Sequence, residues 1–211
     1  MPEYLDIESW SRKAAFEYFR DFDNPFFDIT APVDVTDLRR GAKSAGIPFS
    51  RAVLFKTMGV VNACEPFRYR LEKGRVVVNK IIHGSTTTLL DDDSFAFLYF
   101  EYSEDLQLFL ASMDAGRKAL DAPPQEMDPR WDRTDMIHFS WVPWVSFTSV
   151  SHPRKWGRED SVPKLVFGRF EEREGRLMMP VSVTVHHALM DGLHVGRFFE
   201  RLAAAFAEPL Q

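Results

Sequence analysis

Cysteine is nearly absent. A single residue of that type, Cys64, stands among 211, so no disulfide can form within the chain and a reducing cytoplasm is the expected setting. Cys64 lies in an apolar, helix-like stretch and reads as core. No apolar run reaches the length of a bilayer span, and the opening MPEYLDIESW has neither the basic nor the apolar region of a secretion signal. Positive charge is also scarce. Lys and Arg number 26 against 31 Asp and Glu, a formal net charge of −5, which argues against nucleic acid as a partner. A nucleic-acid binder carries a basic stripe with interleaved aromatics, whereas Arg39-Arg40 lies among acids like a solvated helix face. Internal repeats and low-complexity tracts are missing too.

What the chain has is apolar and aromatic bulk. Apolar residues make up 45% and charged ones 27%, the balance of a soluble globular protein. Its length suits one domain, residues 1–211, with a real core. The 19 phenylalanines fit a thick core, a subunit interface or an aromatic-walled pocket, and ordinary burial habits assign most of them to the core.

Periodicity then sets the elements. Ser9 to Phe22 predicts a helix capped by Ser9, with Trp10, Ala14, Phe16 and Phe19 at helical spacing. Residues 34–45 predict a short helix capped by Asp34 or Thr36, and residues 49–63 a helix buried on nearly every side. Strands are expected at 67–71, 75–82 and 95–102, with turns at Lys73-Gly74 and Asp91 to Asp93. A helix follows over 103–120. The stretch 122–135, with Pro123, Pro124 and Pro129, reads as a surface loop rather than a domain boundary. Strands at 137–145, 164–172 and 177–187 and a last helix at 193–206 complete an α/β fold, a two-layer sandwich of a mixed β-sheet with helices packed on it.

The informative segment is PVSVTVHHALMDGLHVGRFF, Pro180 to Phe199. Strand alternation puts Val181, Val183, Val185 and His187 on one face and Ser182, Thr184 and His186 on the other. An imidazole at the end of an apolar strand face is held neutral by desolvation and can act as a general base. It can equally be a satisfied structural histidine, the commoner case on an apolar face. A metal set of His186, His187, Asp191 and His194 is a third reading, disfavoured because neighbours on a strand point to opposite faces.

The run HHALMDGLHVGR resembles the HHxxxDG motif of CoA-dependent acyltransferases, and specifically the chloramphenicol acetyltransferase family. Similar segments occur in the expected order: WSRKAAFE from Trp10, PFRYR from Pro66, SWVPWVSFTS from Ser140 and RLMMPVSV from Arg176. The resemblance covers essentially the whole chain. It implies acetyl-CoA as co-substrate, no metal, a small-molecule hydroxyl acceptor with chloramphenicol foremost, and a homotrimer with a tunnel between subunits.

The resemblance also implies roles. His187 matches the base and Ser140 the hydroxyl donor to the oxyanion, although a strand serine bonded to backbone is the bland alternative. Asp191 matches a structural ion pair with Arg12 rather than a third catalytic member, and removing either partner would strand a buried charge at about 3–5 kcal/mol. Gly192 is expected to permit a tight turn before the last helix, and His186 to brace the sheet. Phe19, Phe27 and Phe95 are carried over as acceptor-pocket walls, and Trp144, Arg169 and Phe170 as the CoA side. Two departures stand out. Val166 replaces a threonine near the active site, and Val150 and His152 replace an apolar acceptor-contacting stretch. Other readings are a lipoate-dependent acyltransferase core, which would normally follow a lipoyl domain and an Ala/Pro-rich linker not found in this sequence, and a decayed relative that only binds small molecules.

Overall fold

A computed structural model describes residues 3–120, 133–154 and 159–210. The chain opens with β1 (Glu3–Tyr4), α1 (Lys13–Phe19), β2 (Phe26–Asp34), α2 (Thr36–Ser44) and α3 (Phe49–Ala63). A 3-10 turn at Glu65–Arg68 leads into β3 (Tyr69–Glu72), β4 (Arg75–Val78), β5 (His83–Leu89), β6 (Phe95–Phe100) and α4 (Leu106–Ala119). The last part holds β7 (Met136–Val142), β8 (Lys164–Gly168), β9 (Glu171–Arg173), β10 (Arg176–His186) and α5 (Gly192–Ala207). Most of the expected 122–135 loop, with Pro123, Pro124 and Pro129, lies outside the described residues.

One large sheet organises the molecule, in the order β2-β10-β8-β7-β5-β6 with β9 on the start of β10. Pairs β5/β7 and β7/β8 are parallel and the others antiparallel, so the sheet is mixed. Val181, Val183 and Val185 of β10 are fully buried beneath the helices, together with Leu165, Phe167, Ile137 and Phe139 from the neighbouring strands. From above, α5 buries Val195, Phe198, Leu202 and Phe206, spaced at three and four residues as one helix face requires. Each such side chain contributes about 1.5–3 kcal/mol by leaving water. A three-stranded sheet, β1-β4-β3, packs with α1 around Phe16, Tyr69, Val76, Ala188 and Leu189.

The opposite face of the large sheet is polar. Strand register aligns Tyr99, Ser85, His138, Lys164, Thr184 and Asp28 in one row across it. Two residues along, Ser140, Val166, Ser182 and Thr30 form a second row. The segment after β7 folds over this face. Its Phe147 ring lies where a Cβ on Gly168 would stand 2.8 Å away, so glycine there is a close-approach requirement.

Several expectations need correction. Helix α1 starts at Lys13, because the Ser9 hydroxyl bonds the Asp6 carboxylate at 2.7 Å instead of capping. Val35 holds the cap position of α2, while Asp34 accepts the Thr36 N–H at 2.9 Å. Phe67 belongs to the 3-10 turn, and β4 stops at Val78. Strands β2 and β5 had no counterpart in the sequence reading. β5 reads HGSTTTL, nearly without apolar signal, yet it is interior: Gly84 and Thr86 pair with the core residues Ile137 and Phe139, and the Phe100 ring fills the place of a side chain on Gly84. β2 carries Pro32 and is an edge strand, where a missing N–H costs nothing.

Within the PFRYR segment, Arg70 is fully buried. Its guanidinium donates to the carbonyls of Phe67, Tyr69 and Met136 at 2.9, 2.6 and 2.6 Å, tying β3 to β7. Burial pushes its pKa down to about 9, against the pull of Asp160 and Asp135. Among the described residues, no helix is long and apolar enough to cross a membrane.

Candidate active site

The segment after β10 is held by backbone and by one arginine. His187 N–H donates to the Pro25 carbonyl at 2.7 Å. The His187 ring lies flat against Phe19, with centroids 3.8 Å apart and planes at 6°, and Phe27 meets it tilted at 48° with centroids 4.7 Å apart. Its Nδ1 is buried without a hydrogen-bond partner. Arg12 then grips the loop in three places. It donates to the His187 carbonyl at 3.1 Å, to the Ala188 carbonyl at 3.0 Å and to the Asp191 carboxylate at 3.2 Å, with its guanidinium 5.3 Å from the centre of the Trp10 ring.

Asp191 is also the cap of α5, accepting the Leu193 N–H at 3.1 Å. His194 Nδ1 stands 2.8 Å from the Asp191 carboxylate and 3.2 Å from its amide. These two bonds exclude each other, since a protonated nitrogen donates to the first and a bare one accepts from the second. Burial would raise the Asp191 pKa, but His194 and Arg12 outweigh it and hold the carboxyl below its ordinary value. The Asp191 side chain is 38% exposed and that of Arg12 only 12%. The ion pair expected from the resemblance is present, but only its arginine is sheltered, and the carboxylate meets water. Gly192 is corrected as well. It is the first residue of α5, lacks a positive φ, and an added Cβ would meet nothing within 4 Å.

His186 faces the polar side of the sheet at 3% exposure, edge-on to Phe26 at 5.0 Å. Its Nδ1 accepts the Ala188 N–H at 3.2 Å, and burial pushes its pKa down to about 4. It walls a cleft of about 780 Å³ with Arg20, Phe22, Pro25, Phe26 and Arg154, and His187 is not among the lining residues. No group of three or more His, Cys, Asp or Glu capable of holding a metal occurs among the described residues.

Ser140 belongs to another place. It sits in β7 on the polar face of the sheet, beside Val166, which is 1% exposed. Phe95, 46% exposed and 5.7 Å from Phe97, flanks the same face on β6. Past β7, Trp144 is 63% exposed, and Arg169 N–H bonds the Val145 carbonyl at 2.9 Å, so Trp144, Arg169 and Phe170 share one end of the sheet. Arg39 completes that cluster, lying 4.7 Å from the Phe170 ring centre and 5.5 Å from that of Phe49. Arg39 is exposed on α2, in line with its reading as a solvated helix face, and its contact with the Phe170 ring comes only from tertiary packing.

Register gives the separation. Ser140 is level with Ser182, two strands from β10, and His187 is five residues further along, so the two lie roughly 20 Å apart at about 3.3 Å per residue and 4.8 Å per strand. They also lie on opposite faces, since Phe27 pairs with inward-facing Val185 while Ser140 aligns with outward-facing Ser182. Within one chain, Phe19, Phe27, Arg12 and Asp191 gather round His187. Ser140, Phe95 and Val166 do not meet them.

Comparison with known proteins gives a consistent picture. The family model described as chloramphenicol acetyltransferase matches residues 3–203. A chloramphenicol acetyltransferase of Streptomyces acrimycini is 29% identical over 214 residues, covering 99% of this chain and 96% of the relative. One of Clostridium perfringens is 28% identical over 201 residues, covering 92% and 90%. A solved chloramphenicol acetyltransferase superposes with a TM-score of 0.85 at 32% identity, covering 98% of this chain and all of that one. A dihydrolipoamide acetyltransferase of Azotobacter vinelandii has a TM-score of 0.67 at 17% identity over 93% of this chain and 86% of that one, a likeness of fold alone.

Proposed function

The chain belongs to the chloramphenicol acetyltransferase family, a family of acyltransferases, and from that premise we propose that it moves an acetyl group from acetyl-CoA to a hydroxyl of chloramphenicol or a similar small molecule. The observation that carries this reading is the His187 imidazole, stacked on Phe19 and in contact with Phe27, on a loop that Arg12 clamps. His187 accepts the hydroxyl proton as that oxygen bonds to the thioester carbonyl carbon. The Ser140 hydroxyl donates to the carbonyl oxygen as it becomes negative. When the carbon–sulfur bond breaks, the imidazolium returns its proton to the departing thiolate. A base of this kind contributes about 10² to 10⁴ in rate, and an oxyanion donor about 10² to 10³. Trp144, Arg169 and Phe170, joined by Arg39 and Phe49, suit the nucleotide end of CoA, because exposed rings and guanidiniums match a heterocycle and phosphates. Arg12 and Asp191 hold the loop and take no part in proton transfer.

The separation of His187 from Ser140 supports a site completed between copies, as in a cyclic homotrimer where each interface joins one copy's His187 to its neighbour's Ser140. One catalytic domain per chain and a cytoplasmic location complete the proposal. The test is complementation. His187→Ala and Ser140→Ala proteins are each expected to be nearly inactive alone. Co-expressed at equal levels, they should form mixed trimers with about a quarter of normal activity, since random assembly pairs intact partners at one interface in four. Absence of recovery in demonstrably mixed trimers would refute the shared site, and a His187→Ala protein within about tenfold of wild type would remove the base.

A further inference from the structure

Helix α5 brings three basic side chains onto one stripe. His194, Arg197 and Arg201 follow one another at three and four residues, the spacing at which side chains on a helix become neighbours. All three line a cleft of about 340 Å³ between α5 and the turn after α3, whose other wall includes Ala63, Cys64, Glu65 and Pro66. Ala63, Glu65, Arg197 and Arg201 are exposed and Pro66 and His194 half-buried, so a molecule from solvent reaches both walls.

The charges in this cleft do not cancel. Among the described residues no carboxylate pairs with Arg197 or Arg201, and Glu200 beside them in the chain is no exception. Arg201 turns one nitrogen to the Ala63 carbonyl at 3.0 Å and the Cys64 sulfur at 3.6 Å. Burial pushes the Cys64 thiol pKa up, so the sulfur stays neutral and supplies no counter-charge. Glu65 is the acid of the far wall, and it is already engaged. One of its oxygens accepts the Tyr69 hydroxyl at 2.5 Å and the other stands 3.9 Å from Arg68. Like charges four residues apart on a helix repel, and here no acid of the chain relieves them. Their Cβ atoms lie about 5–6 Å apart at this spacing, so both guanidinium forks can close on one carboxylate or phosphate group. Ala63 and Pro66 opposite offer only carbon at their side chains, which suits an apolar body.

We propose that this cleft binds a small organic oxyanion, with its carboxylate or phosphate between Arg197 and Arg201 and its apolar body against Ala63 and Pro66. The volume lies near the lower end of the range usual for ligand pockets, about 300–1,000 Å³, which limits the body to a ring or a short chain. The proposal stands whether or not the chain transfers acetyl groups.

The test is calorimetric titration of the full chain at low ionic strength, where exposed charges are least screened. Benzoate and phenyl phosphate are the probes. Benzamide is the uncharged counterpart of the first, and inorganic phosphate is the counterpart of the second without an apolar body. Each probe should bind at least about tenfold more tightly than its counterpart. An Arg197→Gln, Arg201→Gln variant should weaken benzoate by about tenfold or more, and Ala63→Glu, which sets a competing carboxylate at the same rim, should do likewise. Melting curves without anion check that the variants fold; if the double variant does not, Ala63→Glu decides alone. Binding of neither probe, equal affinity for benzamide, or unchanged benzoate affinity in the folded variants overturns the site. Inorganic phosphate binding as tightly as phenyl phosphate overturns the apolar body, and the proposed class with it.

Discussion

Replacing Arg12 should cost much more than replacing Asp191, although the two form one ion pair. The guanidinium makes three bonds, and two of them end on the His187 and Ala188 carbonyls. A hydrogen bond from a charged donor contributes about 1.5–3 kcal/mol, so Arg12→Ala should lose about 3–5 kcal/mol. The bond to Asp191 itself is modest. With the carboxylate 38% exposed, solvent screening holds the pair to about 1 kcal/mol or less. Asp191→Asn keeps an oxygen for the Leu193 amide, so only the pair and the favourable charge at the helix N-terminus disappear, together about 1 kcal/mol. Arg12→Lys keeps the charge but not the fork, and should fall between the two. Urea unfolding at one fixed protomer concentration gives these differences, and the double variant gives the coupling. Activity should follow the same order if His187 is the base as proposed, because the lost bonds end on His187 and its neighbour. Equal losses for Arg12→Ala and Asp191→Asn, or a coupling energy as large as the Arg12→Ala loss, would show that the carboxylate is the main partner and that this account of the clamp is wrong.

A second expectation concerns pH. Burial holds the His186 pKa at about 4, below the value near 6.5 of an unfolded chain. Between these values the unfolded state binds the extra proton, so stability should be fully present above about pH 6.5 and fall as pH drops towards 4, by roughly 3 kcal/mol for this group. Melting temperature against pH measures it, and His186→Asn should flatten the slope; an unchanged slope would clear His186 of the effect. Gly192→Ala should leave the unfolding free energy of the protomer unchanged or raise it by about 0.5–1 kcal/mol, since the added methyl meets nothing within 4 Å and glycine is a poor helix former. A loss above about 1 kcal/mol, read by urea unfolding, would restore a backbone requirement for that glycine.

The strand end that bears His187 was legible because its signal is local. Alternation along Val181, Val183 and Val185 needs only strand periodicity, and the following HHALMDG run carries a family resemblance by itself. The Arg12–Asp191 contact spans most of the chain, and only that resemblance could join them before the fold was known. Arg39 shows the limit. Neighbouring acids make it look like solvated surface, and nothing in its surroundings along the chain announces Phe170.

Sequence by itself determined the fold class, the buried character of α3 and β10, the absence of disulfides and the strand end that bears His187. These follow from composition and periods of 2 and 3.6 residues, which each segment expresses alone. Only tertiary structure decided that HGSTTTL is an interior strand, because the apolar bulk over its core face comes from the Phe100 and Phe139 rings of the neighbouring strands and not from its own residues. It decided too that the Asp191 side of the clamp meets water, and that Arg39 meets the Phe170 ring. Strand register and loop path create those neighbours, and neither is written in local periodicity. The separation of His187 from Ser140 has the same origin: two residues read as one site stand on opposite faces of a sheet, because side-chain direction alternates at every residue and strand order is set by packing.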